Sequence, residues 1–274
     1  MLYSQPKIEN YTEKKSKLEQ WHFDSALEIL SIISSNGEFP CPFSQAAAKN
    51  KRLLFSFIAD ATEKSLHQSA ADLQEYLARA AEWDGKVSSA EPLLMVFNPE
   101  IFKADTVSDY HAIGWKILQF WHDIDTTPWP SDVSSDPHSP FWSMCFGGVQ
   151  IFVNMSNPAH QTRRSRNLGQ ALTFVINPRE RFDRVAGDNP QGWKIRQMVR
   201  DRIEAYDGLS HSPALGSFEA GEIEWWQYGL TETNAPRVDR CPFHTQSRQD
   251  AKSSDSSDTN TMASEIFVPL RDVG

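Results

Sequence analysis

The stretch Phe141-Trp142-Ser143-Met144-Cys145-Phe146-Gly147-Gly148-Val149-Gln150-Ile151-Phe152-Val153-Asn154 decides the fold. Two apolar runs, 141–146 and 149–154, flank a Gly-Gly pair. Glycine reaches positive φ without a Cβ clash, and two-residue hairpin turns need that, so the stretch reads as a β-hairpin. Working outward, 53–58 and 93–97 are short apolar runs that read as buried strands, the second stopped by Asn98-Pro99. Residues 171–177 give one more strand, closed by Pro178.

Helical periodicity fills the intervals. In 12–35, Trp21, Ala26, Ile29, Leu30 and Ile33 share a face, and Asn36-Gly37 stops the run. In 62–83, Leu73, Tyr76, Leu77 and Ala80 recur at helical spacing. Tyr110, Ile113, Ile117 and Trp121 mark a helix over 108–123. Ile195, Val199, Arg202 and Tyr206 mark one over 193–206, with Gly208 just past its end. Residues 39–43 and the Pro-, Ser- and Asp-rich 126–140 read as loops. Strands mixed with helices, one pair a hairpin, indicate an α+β single domain over residues 1–246, with a mixed, mostly antiparallel sheet flanked by helices. Residues 247–264, nearly all Ser, Asp, Thr and Asn, read as disordered, and 265–274 as a C-terminal tail.

Composition narrows the function. The 274 residues carry a formal net charge of -9, which argues against a nucleic-acid partner needing a basic face. There is no apolar signal core and no apolar run long enough to span a bilayer, so a cytoplasmic protein with no membrane partner is expected. Cys41, Cys145 and Cys241 lie far apart and indicate neither a disulfide framework nor a zinc knuckle. The chain has no G-x-G-x-x-G, Walker, G-x-S-x-G or H-E-x-x-H motif, hence no fingerprint for NAD, FAD or ATP.

Charge is concentrated in one place. Between His160 and Arg184 six arginines (163, 164, 166, 179, 181, 184) face two acids, Glu180 and Asp183. The guanidinium fork suits carboxylate or phosphate, and it equally suits surface ion pairs. His160 follows Pro158, which stiffens the loop entering it. A neutral imidazole beside arginines fits a heme, with iron on His160 and the propionates on the arginines. His122 and Asp125 form a second constellation at a helix end, able to relay protons, to hold a cation, or simply to cap a turn. Cys41 and Cys241 each sit in Cys-Pro-Phe. Either could supply a thiolate ligand in place of His160, or be a buried structural cysteine.

Taken together, these motifs are recognisable. The runs Cys41-Pro42-Phe43, Leu118 to Asp125, Trp129-Pro130, Phe141 to Gly148, Phe152-Val153-Asn154, Pro158-Ala159-His160, Arg163 to Arg166 and Phe174 to Arg179 resemble the YqcI/YcgG-like family. So do Tyr206-Asp207-Gly208, Glu224 to Tyr228 and Cys241-Pro242-Phe243. The resemblance covers about residues 38–244. Members of this family include heme-dependent N-hydroxylases of guanidine-bearing amino acids in the D-cycloserine and guanitoxin pathways. The resemblance therefore implies heme b in a pocket beside the sheet, with His160 as axial ligand. Arg163, Arg164 and Arg166 would lie nearby, at least one of them on a propionate. It implies N-hydroxylation of an amine or guanidine, such as that of L-arginine, with O2 or peroxide in a natural-product pathway. His122 and Asp125 would assist at the distal side or hold the substrate cation. Electrons would come from a separate ferredoxin- or flavodoxin-type donor, or from peroxide. Two alternatives stand beside it. One is a non-catalytic heme protein sensing a diatomic gas or oxidative stress. The other is a non-heme metal hydrolase using His122, Asp125 and His160.

Overall fold

The computed structural model describes residues 1–10, 18–35, 37–216 and 221–245. In chain order its elements are β1 (Tyr3–Ser4), α1 (Gln5–Glu9), α2 (Gln20–Ser34), α3 (Pro42–Lys49), β2 (Leu54–Ile58), α4 (Glu63–Ala80) and β3 (Leu93–Phe97). Then follow α5 (Val107–Ile124), β4 (Cys145–Phe146), β5 (Val149–Ser156), β6 (Thr173–Pro178), α6 (Glu180–Ala186), α7 (Pro190–Asp207) and α8 (Trp225–Tyr228). The strands form one open sheet in the order β1-β2-β3-β6-β5-β4. Only the β2–β3 pair is parallel, joined by the α4 crossover; the other pairings are antiparallel. This is the expected α+β architecture.

The hairpin forms where the Gly-Gly pair places it. Gly147 and Gly148 have φ of 57° and 76°, and Cys145 pairs with Gln150 across the turn. Its first strand is shorter than the apolar run 141–146: the Met144 carbonyl still accepts the Ile151 amide at 2.7 Å, but the Met144 amide donates to the Tyr228 hydroxyl at 3.1 Å, and Trp142 is buried in the core. The sheet separates two cores. On one side Ile151, Val153 and Met155 of β5 join Phe174 and Ile176 of β6 against α4 and α5. On the other, Phe55, Leu94 and Val96 pack against α2 and α3.

Several elements differ from expectation. Residues 39–43 were expected to be loop, but Pro42 opens α3: a proline at the first helical position loses no hydrogen bond. α7 begins at Pro190 rather than 193, because the Asn189 side chain accepts the Gly192 amide at 2.9 Å. β6 runs through Pro178, which pairs with Ile151 at the strand end. Short elements β1, α1, α6 and α8 have too few residues to show a period. The expected helix start at 12, the 247–264 segment and the 265–274 tail lie outside the described residues. Among the described residues, no helix is long and apolar enough to cross a membrane.

Candidate functional site

The β5–β6 pair builds the site by alternation. The alternate residues (Asn154 and Ser156 on β5, Val175 and Asn177 on β6) line a cavity of about 340 Å3, together with Phe152, which also packs against the α4/α5 core through Tyr228. Such a volume lies in the range of roughly 300–1,000 Å3 usual for small-molecule and cofactor pockets. α7 roofs it. Ile195, Val199 and Ile203 recur at four-residue spacing, so they share one face, and all three line the cavity half-buried. α3 contributes Cys41 at its N-cap, then Phe43, Ser44 and Ala47.

Polar groups also line this cavity, among them five arginines, Arg166, Arg179, Arg181, Arg196 and Arg200. Arg166 is 7 % exposed, and its Nη1 has no hydrogen-bond partner among the described residues. Burial, and after it the nearby Arg163, brings its pKa down to about 10, against the pull of Asp207 and Cys41. Arg181 is equally buried. Its Nη1 donates to Tyr76 Oη at 3.0 Å and to the Glu91 carbonyl at 2.8 Å, while its Nε has no partner among the described residues. Arg179 is committed otherwise, to Glu224 at 3.1 Å, Asp183 at 2.6 Å and Gln150 at 3.2 Å. Glu224 also accepts from Ser143 and Tyr228, each at 2.7 Å. Burial pushes its carboxyl up to about 7 despite Arg179. Asp183, Glu224 and Gln227 all line the cavity and give it one polar end.

His160 sits elsewhere, in a closed nest that does not line this cavity. It is 1 % exposed, with Nδ1 2.5 Å from Glu232 Oε1. The other Glu232 oxygen accepts the Gln161 and Thr162 amides at 3.2 and 2.8 Å. Burial pushes the His160 pKa down to about 4, against Glu232. For Glu232, burial works upward but is outweighed by the Thr162 amide and the His160 ring, so its pKa ends low. A neutral imidazole donating from Nδ1 leaves Nε2 as an acceptor, and that atom is buried without a partner among the described residues. His111 of α5 faces it, ring centroids 5.9 Å apart, with its own Nε2 likewise unpartnered among the described residues. Burial, and then His160, lowers the His111 pKa to about 3.

The structure thus divides the arginine cluster. Arg163 donates from Nε to the Thr231 carbonyl at 2.7 Å and from Nη2 to Asn234 at 2.8 Å, which ties the 231–234 segment to the His160 loop. Arg164 is exposed, donates to the Tyr206 carbonyl at 2.6 Å and lies over the Tyr206 ring. Only Arg166 of the three lines the cavity. His122 packs between Trp129 and Phe243, and Asp125 accepts the Thr127 and Gly147 amides at 2.8 and 2.7 Å. Neither lines the cavity. Among the described residues, no group of three or more His, Cys, Asp and Glu stands close enough to hold a metal ion, so His122, Asp125 and His160 do not form one. Glu232 and His111 were not singled out by the sequence, and Arg181 stood there only as one of six arginines in the basic cluster. Each acts through a partner 49 to 105 positions away, a distance no local motif spans.

A profile of the YqcI/YcgG family matches residues 28–244. A Streptomyces lavendulae protein named "Putative N(omega)-hydroxy-L-arginine synthase DcsA" is 48 % identical over 226 residues, covering 82 % of this chain and 85 % of that protein. Two Bacillus subtilis (strain 168) proteins, the uncharacterized YqcI and YcgG, are 29 % and 27 % identical, each match covering 88 % of this chain and 94 % of theirs. No solved structure matches significantly. With residues 28–244 matched by the family profile, this chain belongs to the YqcI/YcgG family.

Proposed function

We propose that the protein is a heme-dependent monooxygenase that N-hydroxylates an amine or guanidine group of an amino acid, L-arginine or a close relative, in a natural-product pathway. The substrate and reaction follow the name of the 48 % identical relative. The observation that carries the heme reading is the cavity beside the sheet. A heme is flat and apolar and bears two carboxylates. The cavity pairs an apolar roof and floor with two buried guanidinium groups, Arg166 and Arg181, whose Nη1 and Nε are unpartnered among the described residues. A buried donor left without a partner is costly, and a propionate in reach of each would remove that cost.

When bound, heme supplies the chemistry of oxygen insertion from O2 or peroxide. The chain does the rest. Arg166 and Arg181 would hold the propionates, and the α7 stripe excludes water. The end lined by Asp183 and Glu224 offers carboxylates to a guanidinium or ammonium. With its pKa near neutrality, Glu224 is able to take up or release a proton at that end. Electrons would come from a ferredoxin- or flavodoxin-type donor, or from peroxide.

The test is reconstitution with hemin, then incubation with amino acids, a reductase system and O2, read by mass spectrometry. Gain of one oxygen atom on an amino acid is the expected result. A heme-loaded protein that oxidises none of them would point to the gas- or stress-sensing alternative, and a protein that takes up no heme ends both readings.

A further inference from the structure

We infer that the side chain meeting the heme iron is Cys41 rather than His160. This rests on the heme reading above. Cys41 lines the cavity, whereas His160 does not. Arg166 lines the same cavity, and its Nη1 is buried and unpartnered among the described residues, so a cationic partner for a propionate and an iron ligand are offered to one occupant.

The local geometry suits a thiolate. Cys41 is the N-cap of α3, and its Sγ accepts the Ser44 amide at 3.4 Å. The segment leading to it is pinned from across the cavity. Arg202 of α7 donates to the carbonyls of Gly37, Phe39 and Pro40 at 2.9, 2.8 and 3.0 Å, and to Gln45 Oε1 at 3.1 Å. Pro40 and Pro42 restrict the backbone on either side. Arg202 is therefore a positioning residue that sets where the sulfur stands relative to the α7 roof. Cys145 and Cys241, by contrast, are buried in or beside the aromatic core, and burial pushes the Cys241 thiol up to about 12. A thiolate also pushes electron density toward O–O cleavage, which an oxygen-inserting enzyme needs and a histidine supplies less well.

The experiment is spectroscopy of the full chain loaded with hemin, wild type beside Cys41→Ser and His160→Ala. The expected result is a thiolate signature in the wild type: a ferrous–CO Soret band at the long-wavelength, thiolate-type position and an iron–sulfur stretch by resonance Raman. Both persist in His160→Ala and disappear in Cys41→Ser. An imidazole-type ferrous–CO band that His160→Ala abolishes would overturn the assignment while leaving the heme reading intact. Absence of any Soret band in the wild type would instead end the heme reading itself. One measurement needs no variant. Peptide mapping after alkylation should find Cys41 modified in the heme-free wild type and protected once hemin is bound. Equal modification in both states would overturn the proposal.

Discussion

His160 Nδ1 lies 2.5 Å from Glu232 Oε1, and the other oxygen of that carboxylate holds the amides of Gln161 and Thr162. One side chain from the distant 231–234 segment therefore fixes both the ring and the loop that carries it. Glu232→Ala should leave the ring nitrogen and two amides without an acceptor. A loss of about 1–3 kcal/mol is expected, read as a lower urea midpoint with unchanged slope. A midpoint equal to wild type would mean that the loop holds itself.

Acid should weaken the fold. His22 and His160 have pKa values lowered to about 4, and His111 to about 3, in each case first through burial. Their folded values lie below the unfolded value near 6.5, so the unfolded chain binds more protons in that window. The stability they contribute is fully present above about pH 6.5 and is lost as pH falls toward about 4, at up to about 1.4 kcal/mol per pH unit for each group. Glu224, raised to about 7, works oppositely and loses stability as pH rises from its usual range to neutrality. Urea unfolding from about pH 7 down to about pH 5 should show the three imidazoles winning. A flat or rising midpoint would refute this.

Arg166 and Arg164 separate two roles within one basic run. Arg166→Ala should weaken hemin binding by roughly 1.5–3 kcal/mol, about ten- to a hundredfold in Kd, because a charge-assisted contact to a propionate is lost. Arg164→Ala removes a contact to the Tyr206 carbonyl outside the cavity and should leave hemin affinity unchanged. Absorbance titration measures both, and equal effects would contradict the division.

Asp125 accepts the Gly147 amide at 2.7 Å and so braces the hairpin turn. Asp125→Ala should cost about 1–2 kcal/mol, a fall of roughly 2–8 °C in Tm, with hemin affinity intact. If turnover vanished while Tm stayed at the wild-type value, Asp125 would belong to the chemistry instead.

Periodicity and turn chemistry made most of the sheet and the long helices legible. Gly147-Gly148 marked its hairpin because positive φ at both positions leaves few other conformations. α3 was hidden by its own start signal, since Pro42 reads as a breaker until the helix following it is known. The site was less legible. Arg163, Arg164 and Arg166 are neighbours in sequence, yet a short 3-10 turn over Arg164–Arg166 and the flanking bonds send them to different surroundings. What separates them is the approach of Thr231, Tyr206 and the cavity wall, all set by tertiary packing.

The alternation of β5 has a bearing on how such a protein can change. Ile151, Val153 and Met155 hold the fold together, while Phe152, Asn154 and Ser156 shape the cavity. Point substitutions at Asn154 and Ser156 can therefore retune what the cavity accepts with less effect on the core than substitutions at the odd positions or at Phe152, which packs against Tyr228. A single inserted or deleted residue in this strand would exchange the two sets and ruin both at once. In the relatives, substrate range should then diverge by replacement along β5 and β6, while the length between Gly148 and the His160 loop stays fixed.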